Sequence, residues 1–177
     1  MASILILNTY NHIFDPIGGI MNPSFRIAAV DKQHFSEFVN LNEDELVKYK
    51  AQWITADTNP GYPCRVSLIE AKVGERVLAV PFLHHDVDSP YRASGPIFVR
   101  ENAELAEPNV NEIPEILRER LLSVRVYNDH QIMIHAEILQ GTELEHGIRK
   151  QFLNSEVEYI HIHNAKQGCF NCSVHRA

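Results

Sequence analysis

No glycine-rich phosphate loop, dinucleotide fingerprint, His-Glu-x-x-His helix or Gly-x-Ser-x-Gly elbow occurs in the chain. The common nucleotide, zinc-protease and serine-hydrolase signatures therefore give no lead. Cysteine is scarce and odd in number, with Cys64, Cys169 and Cys172 alone. Three thiols do not make a disulfide framework, and this usage predicts a reducing, cytoplasmic setting. Positive charge is short as well: 16 Lys and Arg stand against 23 Asp and Glu, a formal net charge of −7. Such a field repels polyphosphate and argues against nucleic acid as a partner. No apolar stretch approaches the roughly 18 residues of a spanning helix. The run Ile4 to Leu7 is too short for a secretory leader, and no Lys or Arg precedes Arg26, so neither a membrane nor an export signal is predicted.

What is present is ordinary globular composition, 45% hydrophobic and 22% charged over 177 residues. At that size one domain buries roughly 70% of the surface its unfolded chain exposes. Residues 1–20 end in the turn-forming stretch Asp15-Pro16-Ile17-Gly18-Gly19 and read as an N-terminal extension. Met21 then opens a single domain, 21–177.

Within that domain Phe25 to Val30 reads as a strand, and Lys32 to Ala51 as helix interrupted near Asn40-Leu41-Asn42. Asn42 and Glu45 have the spacing of an N-cap and its reciprocal acid. After the turn Asn59-Pro60-Gly61 come strand candidates Cys64–Glu70, Val77–His84 and Pro96–Arg100. Pro114 begins a short helix to about Arg120. Leu121–Tyr127 and Ile132–Leu139 flank Asn128-Asp129-His130-Gln131 as a hairpin. Thr142 and Glu145 suggest a capping box opening a helix to Leu153, and Glu158–Asn164 is a further strand. The expected class is α+β: an antiparallel or mixed sheet with helices mainly on one face.

Period-two alternation gives these strands two unlike faces. Leu122, Val124 and Val126 alternate with Ser123, Arg125 and Tyr127. Ile160 and Ile162 alternate with Tyr159, His161 and His163. Ile132, Ile134 and Ile138 are expected on the aliphatic side, with His135 and Glu137 on the polar one. Such a polar face either meets water, as antiparallel sheets often do, or lies under loops and lines a ligand pocket.

The candidate chemistry sits on that second face. His161 and His163, two residues apart on one strand, could grip a divalent metal with a third ligand from His84, His85, His135, Glu137 or Cys169. Read without metal, His161, His163 and Cys169 are acid–base or nucleophilic catalytic candidates. Cys169-Phe170-Asn171-Cys172 has redox CxxC spacing without the strand-to-helix context of such sites. Arg65 and Arg125 offer planar forks to a small carboxylate or phosphate, and Tyr91, Arg92 and Ser94 lie together in a turn-rich loop suited to display.

Four blocks of the chain carry a resemblance. Tyr62-Pro63-Cys64-Arg65-Val66-Ser67-Leu68, Ser89 through Arg100, Leu122-Ser123-Val124-Arg125, and Tyr159 through Ala165 with Gly168-Cys169 resemble the bacterial domain-of-unknown-function family twelve-oh-three. The resemblance spans about residues 21 to 177, with Ser24 to Ile27 matching a typical first strand. It implies a family and no chemistry, since no catalytic residue is carried over with it. Two function classes follow. One is a small-molecule enzyme or binder whose pocket for an anionic ligand lies on the polar face. The other is a non-catalytic interaction or scaffold domain, in which the same residues are a solvated face with structural ion pairs.

Overall fold

The structure is a computed structural model and describes residues 22–177. The reading of residues 1–20 as an extension, and of Met21 as the start of the domain, lies outside the described residues. Among the described residues eight strands form two antiparallel sheets, with β1 Phe25–Ala28, β2 Gln52–Thr55, β3 Arg76–His85, β4 Ala93–Arg100, β5 Leu121–Tyr127, β6 Met133–Gln140, β7 Tyr159–Asn164 and β8 Phe170–Arg176. The larger sheet has the order β1-β8-β7-β5-β6, and the smaller β2-β3-β4. With three short α-helices among the same residues, α1 Glu43–Lys48, α2 Glu115–Arg118 and α3 Leu144–Phe152, this is an α+β domain. Among the described residues no helix is long and apolar enough to cross a membrane.

Alternation explains the first core. Leu122, Val124 and Val126 of β5, Ile160 and Ile162 of β7, and Cys172 and Val174 of β8 are all at 0% exposure and face Ile116 and Leu117 of α2 and Leu144, Ile148 and Phe152 of α3. Residues 144, 148 and 152 recur every fourth position, so they form one stripe along α3. A second core joins Phe35 and Phe38 of a 3-10 helix Lys32–Asn40, Leu46 of α1, and Leu78, Val80, Ile97 and Val99 of the small sheet. Phe170 of β8 belongs to this second core. The small sheet therefore packs toward the face of the large sheet opposite α2 and α3.

Several local expectations change. The break at Leu41 and the capping box of Asn42 with Glu45 are both present, but Thr142 makes no side-chain cap, because a 3-10 turn Gly141–Glu143 leads into α3. Cys64–Glu70 is a loop touching its neighbours through isolated bridges at Pro63–Glu70 and Cys64–Phe98, so it is not a strand. β2 and β8 were not anticipated. In β6 the faces are reversed: Val124 lies opposite Glu137 and Val126 opposite His135. Residues directly opposite share a face, so His135 and Glu137 belong to the helix side, where Gln151 of α3 donates to Glu137 at 2.7 Å. As an edge strand, β6 leaves Ile134 38% and Ile138 64% exposed on the other side.

Candidate functional site

The polar face of the large sheet is neither bare nor capped by loops alone. The end of β3 crosses it and brings His84 and His85 against β7 and β8. His84 stacks on Phe170 with ring centres 4.9 Å apart and meets His163 edge-on at 5.1 Å. His85 meets His161 at 4.9 Å and Tyr127 at 4.5 Å. Tyr127 and Tyr159 stack at 5.1 Å. Four imidazoles thus share one interior with two phenols and a phenyl ring.

Hydrogen bonds fix two of the tautomers. His85 Nδ1 lies 2.7 Å from the carbonyl of Tyr91 and its Nε2 lies 2.6 Å from the Tyr159 hydroxyl. A carbonyl only accepts, so Nδ1 carries the hydrogen and, in the neutral ring, Nε2 accepts from the phenol. By the same argument His163 donates its Nδ1 hydrogen to Gly168 O at 2.9 Å, which leaves Nε2 as a lone pair. That Nε2, with Nδ1 of His84 and Nδ1 of His161, is buried without a hydrogen-bond partner among the described residues.

Three of these imidazoles, His84, His161 and His163, are held neutral for a physical reason. Burial holds His161 down to about 2, with the other histidines adding like-charge repulsion. Burial also holds His163 down to about 3 and His84 to about 4, and the charge of Arg125 depresses both further. Among the described residues no three His, Cys, Asp or Glu side chains are placed to hold a metal ion together. The arrangement orients rings and carries a hydrogen-bonded link from Tyr91 through His85 to Tyr159.

A cleft of about 440 Å³ lies at the neighbouring end of the sheet. Its walls come from Pro60, Gly61 and Pro63, from Phe98 of β4, from Glu119, Arg120 and Leu121 leading into β5, and from Asn164, Lys166, Gln167 and Cys169 around the β7–β8 turn. Arg65 also lines it, although only 2% of that residue is exposed. Gly168 adopts φ +76 in the turn, a left-handed conformation that suits glycine. Its N–H donates to Asn164 O at 2.8 Å, which sets Cys169 on the cleft wall and turns Gly168 O to His163.

Arg65 is the unusual group. Its backbone is pinned by Arg65 N to Phe98 O and Val30 N to Arg65 O. Its Nε donates to Phe170 O at 2.8 Å and its Nη1 to Pro63 O. Nη2 has no hydrogen-bond partner, and no carboxylate pairs with the guanidinium, among the described residues. Glu70, the nearby acid, binds Arg120 and accepts the N–H groups of Gly61 and Tyr62. Burial lowers the Arg65 pKa to about 10, with the Cys169 thiol the strongest opposing neighbour.

The residues singled out from the sequence separate into three places. Arg65 and Cys169 meet in the cleft. His161 and His163 lie in the imidazole interior with Arg125, half-buried on β5 opposite His161. Tyr91 and Arg92 sit in the β3–β4 turn, where Arg92 pairs with exposed Asp86 at 2.5 Å and Tyr91 offers only its carbonyl to His85, and Ser94 lies at the start of β4. Cys172 is sealed in the helix-side core, where burial pushes its thiol up to about 12. Sequence reading missed Arg120 and Lys166, which look like solvated charges until the β7–β8 turn and the start of β5 are brought together.

Residues 61–176 match the sequence model of a family described as protein of unknown function, DUF1203. Comparison with curated proteins and with solved structures gives no match.

Proposed function

The chain belongs to that family of unknown function, and with no activity supplied by kinship we propose that it binds a small anionic molecule, of the carboxylate or phosphate class, in the cleft over Arg65. The observation that carries this is the buried guanidinium without a carboxylate partner. A buried charge left unpaired costs several kcal/mol or more, so a site that keeps one beside a cleft is suited to a ligand that supplies the counter-charge. Nη2 of Arg65 is left to donate to an oxyanion, and Lys166 adds positive charge at the cleft wall, whereas Arg120 is already neutralised by Glu70.

In this reading His163 is a positioning residue, since its Nδ1 hydrogen holds the carbonyl of the turn that carries Cys169. His161, Arg125 and the phenols support that arrangement from the interior. The three free thiols fit a cytoplasmic setting, the net charge speaks against nucleic acid, the resemblance favours a bacterial source, and the domain runs from Met21.

Titration calorimetry with phosphate, sulfate and succinate tests the proposal on the intact chain, Arg65→Met and Lys166→Glu. The native chain is expected to bind at least one of the three, with affinity reduced at least about tenfold in either variant. Binding that is absent throughout, or unchanged in Arg65→Met, overturns it.

A further inference from the structure

Cys169 differs from the other two thiols in its exposure and in its hydrogen bonds. It is partly exposed on the cleft wall, and among the described residues its thiol makes one hydrogen bond, a long 4.0 Å contact to Gln167 O. Cys64 is 1% exposed and its sulfur accepts the N–H groups of Ser67 and Arg100. Cys172 is 0% exposed in the core against α2 and α3. All three are free. Beside Cys169 stands the Arg65 guanidinium, 98% hidden and without a carboxylate partner, and Lys166 lies three residues away on the same turn.

We infer that Cys169 is a site of mixed-disulfide formation with a low-molecular-weight disulfide that bears carboxylates. The inference rests on the anion-binding reading of the same cleft. A carboxylate held by Arg65 or Lys166 places the rest of the molecule along the wall where the Cys169 sulfur lies. The thiol gives its proton to solvent, and the thiolate attacks one sulfur of the incoming disulfide. A bond forms between Cys169 Sγ and that sulfur, the bond within the small disulfide breaks, and its other half leaves as a thiolate. The small disulfide is the oxidant, so the exchange balances.

The product has no internal exit. Resolution into a protein disulfide needs a second thiol able to reach the mixed disulfide in line. Cys172 lies within β8 with its side chain sealed in the core against α2 and α3, and Cys64 is buried within the 63–70 loop, so the adduct persists until an external thiol removes it. A persistent adduct fills the cleft and turns its ligand site off, which makes the modification a reversible block.

The test uses the intact chain with glutathione disulfide, which is anionic, and cystamine, which is cationic, each rate divided by that of the same disulfide with free cysteine. Intact mass and peptide mapping follow the adduct. Cys169 alone is expected to be modified, about tenfold faster by the anionic disulfide after normalisation, with the preference cut several-fold in Lys166→Glu. Modification at Cys64 or Cys172 instead, or equal normalised rates, overturns the inference. S-methylglutathione, which can occupy the cleft but cannot exchange, separates the two readings. If it shields Cys169 from iodoacetamide while glutathione disulfide leaves no adduct, the anion cleft stands and the disulfide chemistry falls.

Discussion

Glu70 pairs with Arg120 and leaves Arg65 without a carboxylate, although both arginines line one cleft. The choice is enforced locally, because the same carboxylate accepts the N–H groups of Gly61 at 3.1 Å and Tyr62 at 2.9 Å and is thereby fixed in place.

Glu70→Gln should separate charge from geometry. The amide oxygen can still accept from Gly61 and Tyr62, but the charge beside Arg120 is gone. With side chains only 14% and 17% exposed, the loss expected in a urea melt is about 2–4 kcal/mol. Phosphate should bind the variant more tightly than the native chain and recover part of that loss; an unchanged or weaker affinity would count against a shared anion site.

Arg65→Met removes a buried charge but leaves Phe170 O and Pro63 O without their donor. The two effects oppose each other, so the net cost without ligand should be small, about 1–2 kcal/mol. The decisive comparison is the melt with and without phosphate, which should stabilise the native chain by mass action and leave the variant unmoved.

Acid should weaken the fold in a histidine window. His84, His161 and His163 fall from 6.5 to about 4, 2 and 3, so the unfolded chain binds protons that the folded chain refuses. Their contribution is intact above pH 6.5 and is lost as pH drops below it, by up to about 1.4 kcal/mol per pH unit for each ring. Glu75, held down to about 2 chiefly by its hydrogen bond from Arg100, loses its contribution only below 4.5. Urea midpoints between pH 7 and 5 should therefore slope downward, and His161→Phe should flatten that slope by about one proton.

Gly141→Ala should be severe. A Cβ there would sit 1.8 Å from Leu117 O and 2.6 Å from Arg118 O, backbone atoms at the end of α2 that cannot swing aside. A loss above about 3 kcal/mol is expected, seen as a collapsed urea midpoint or insoluble expression.

What the sequence disclosed was local. Asn42 and Glu45 announce their capping box because both partners lie within one turn, and the β5–β6 hairpin follows from two strands around a short turn. Alternation also separated Arg125, Tyr127, His161 and His163 from the aliphatic face. It could not say which way β6 faces, since Ile134 and Ile138 look like core until pairing with β5 and a bulge near Tyr127 set the register. Nor could it show that β3 would cross the polar face, or that Arg65 and Cys169 would meet, because the contacts that create the cleft join segments about 100 residues apart. Sulfur spacing misled for a related reason: Cys169 ends a turn while Cys172 lies within β8, and the strand carries the two thiols into different surroundings.

The pairing of β1 with β8 has a further effect. Phe25 lies opposite Arg176, and Ser24 Oγ donates to Ala177 O at 2.8 Å, so the earliest described strand finds its neighbour only in the last. Closing a contact across that separation gains nothing until nearly all the chain is available, and such non-local pairing slows folding. Until β8 arrives, Phe25 and Ile27 of β1 have no strand partner to cover them, and an uncovered apolar strand of this kind is where partly folded chains associate.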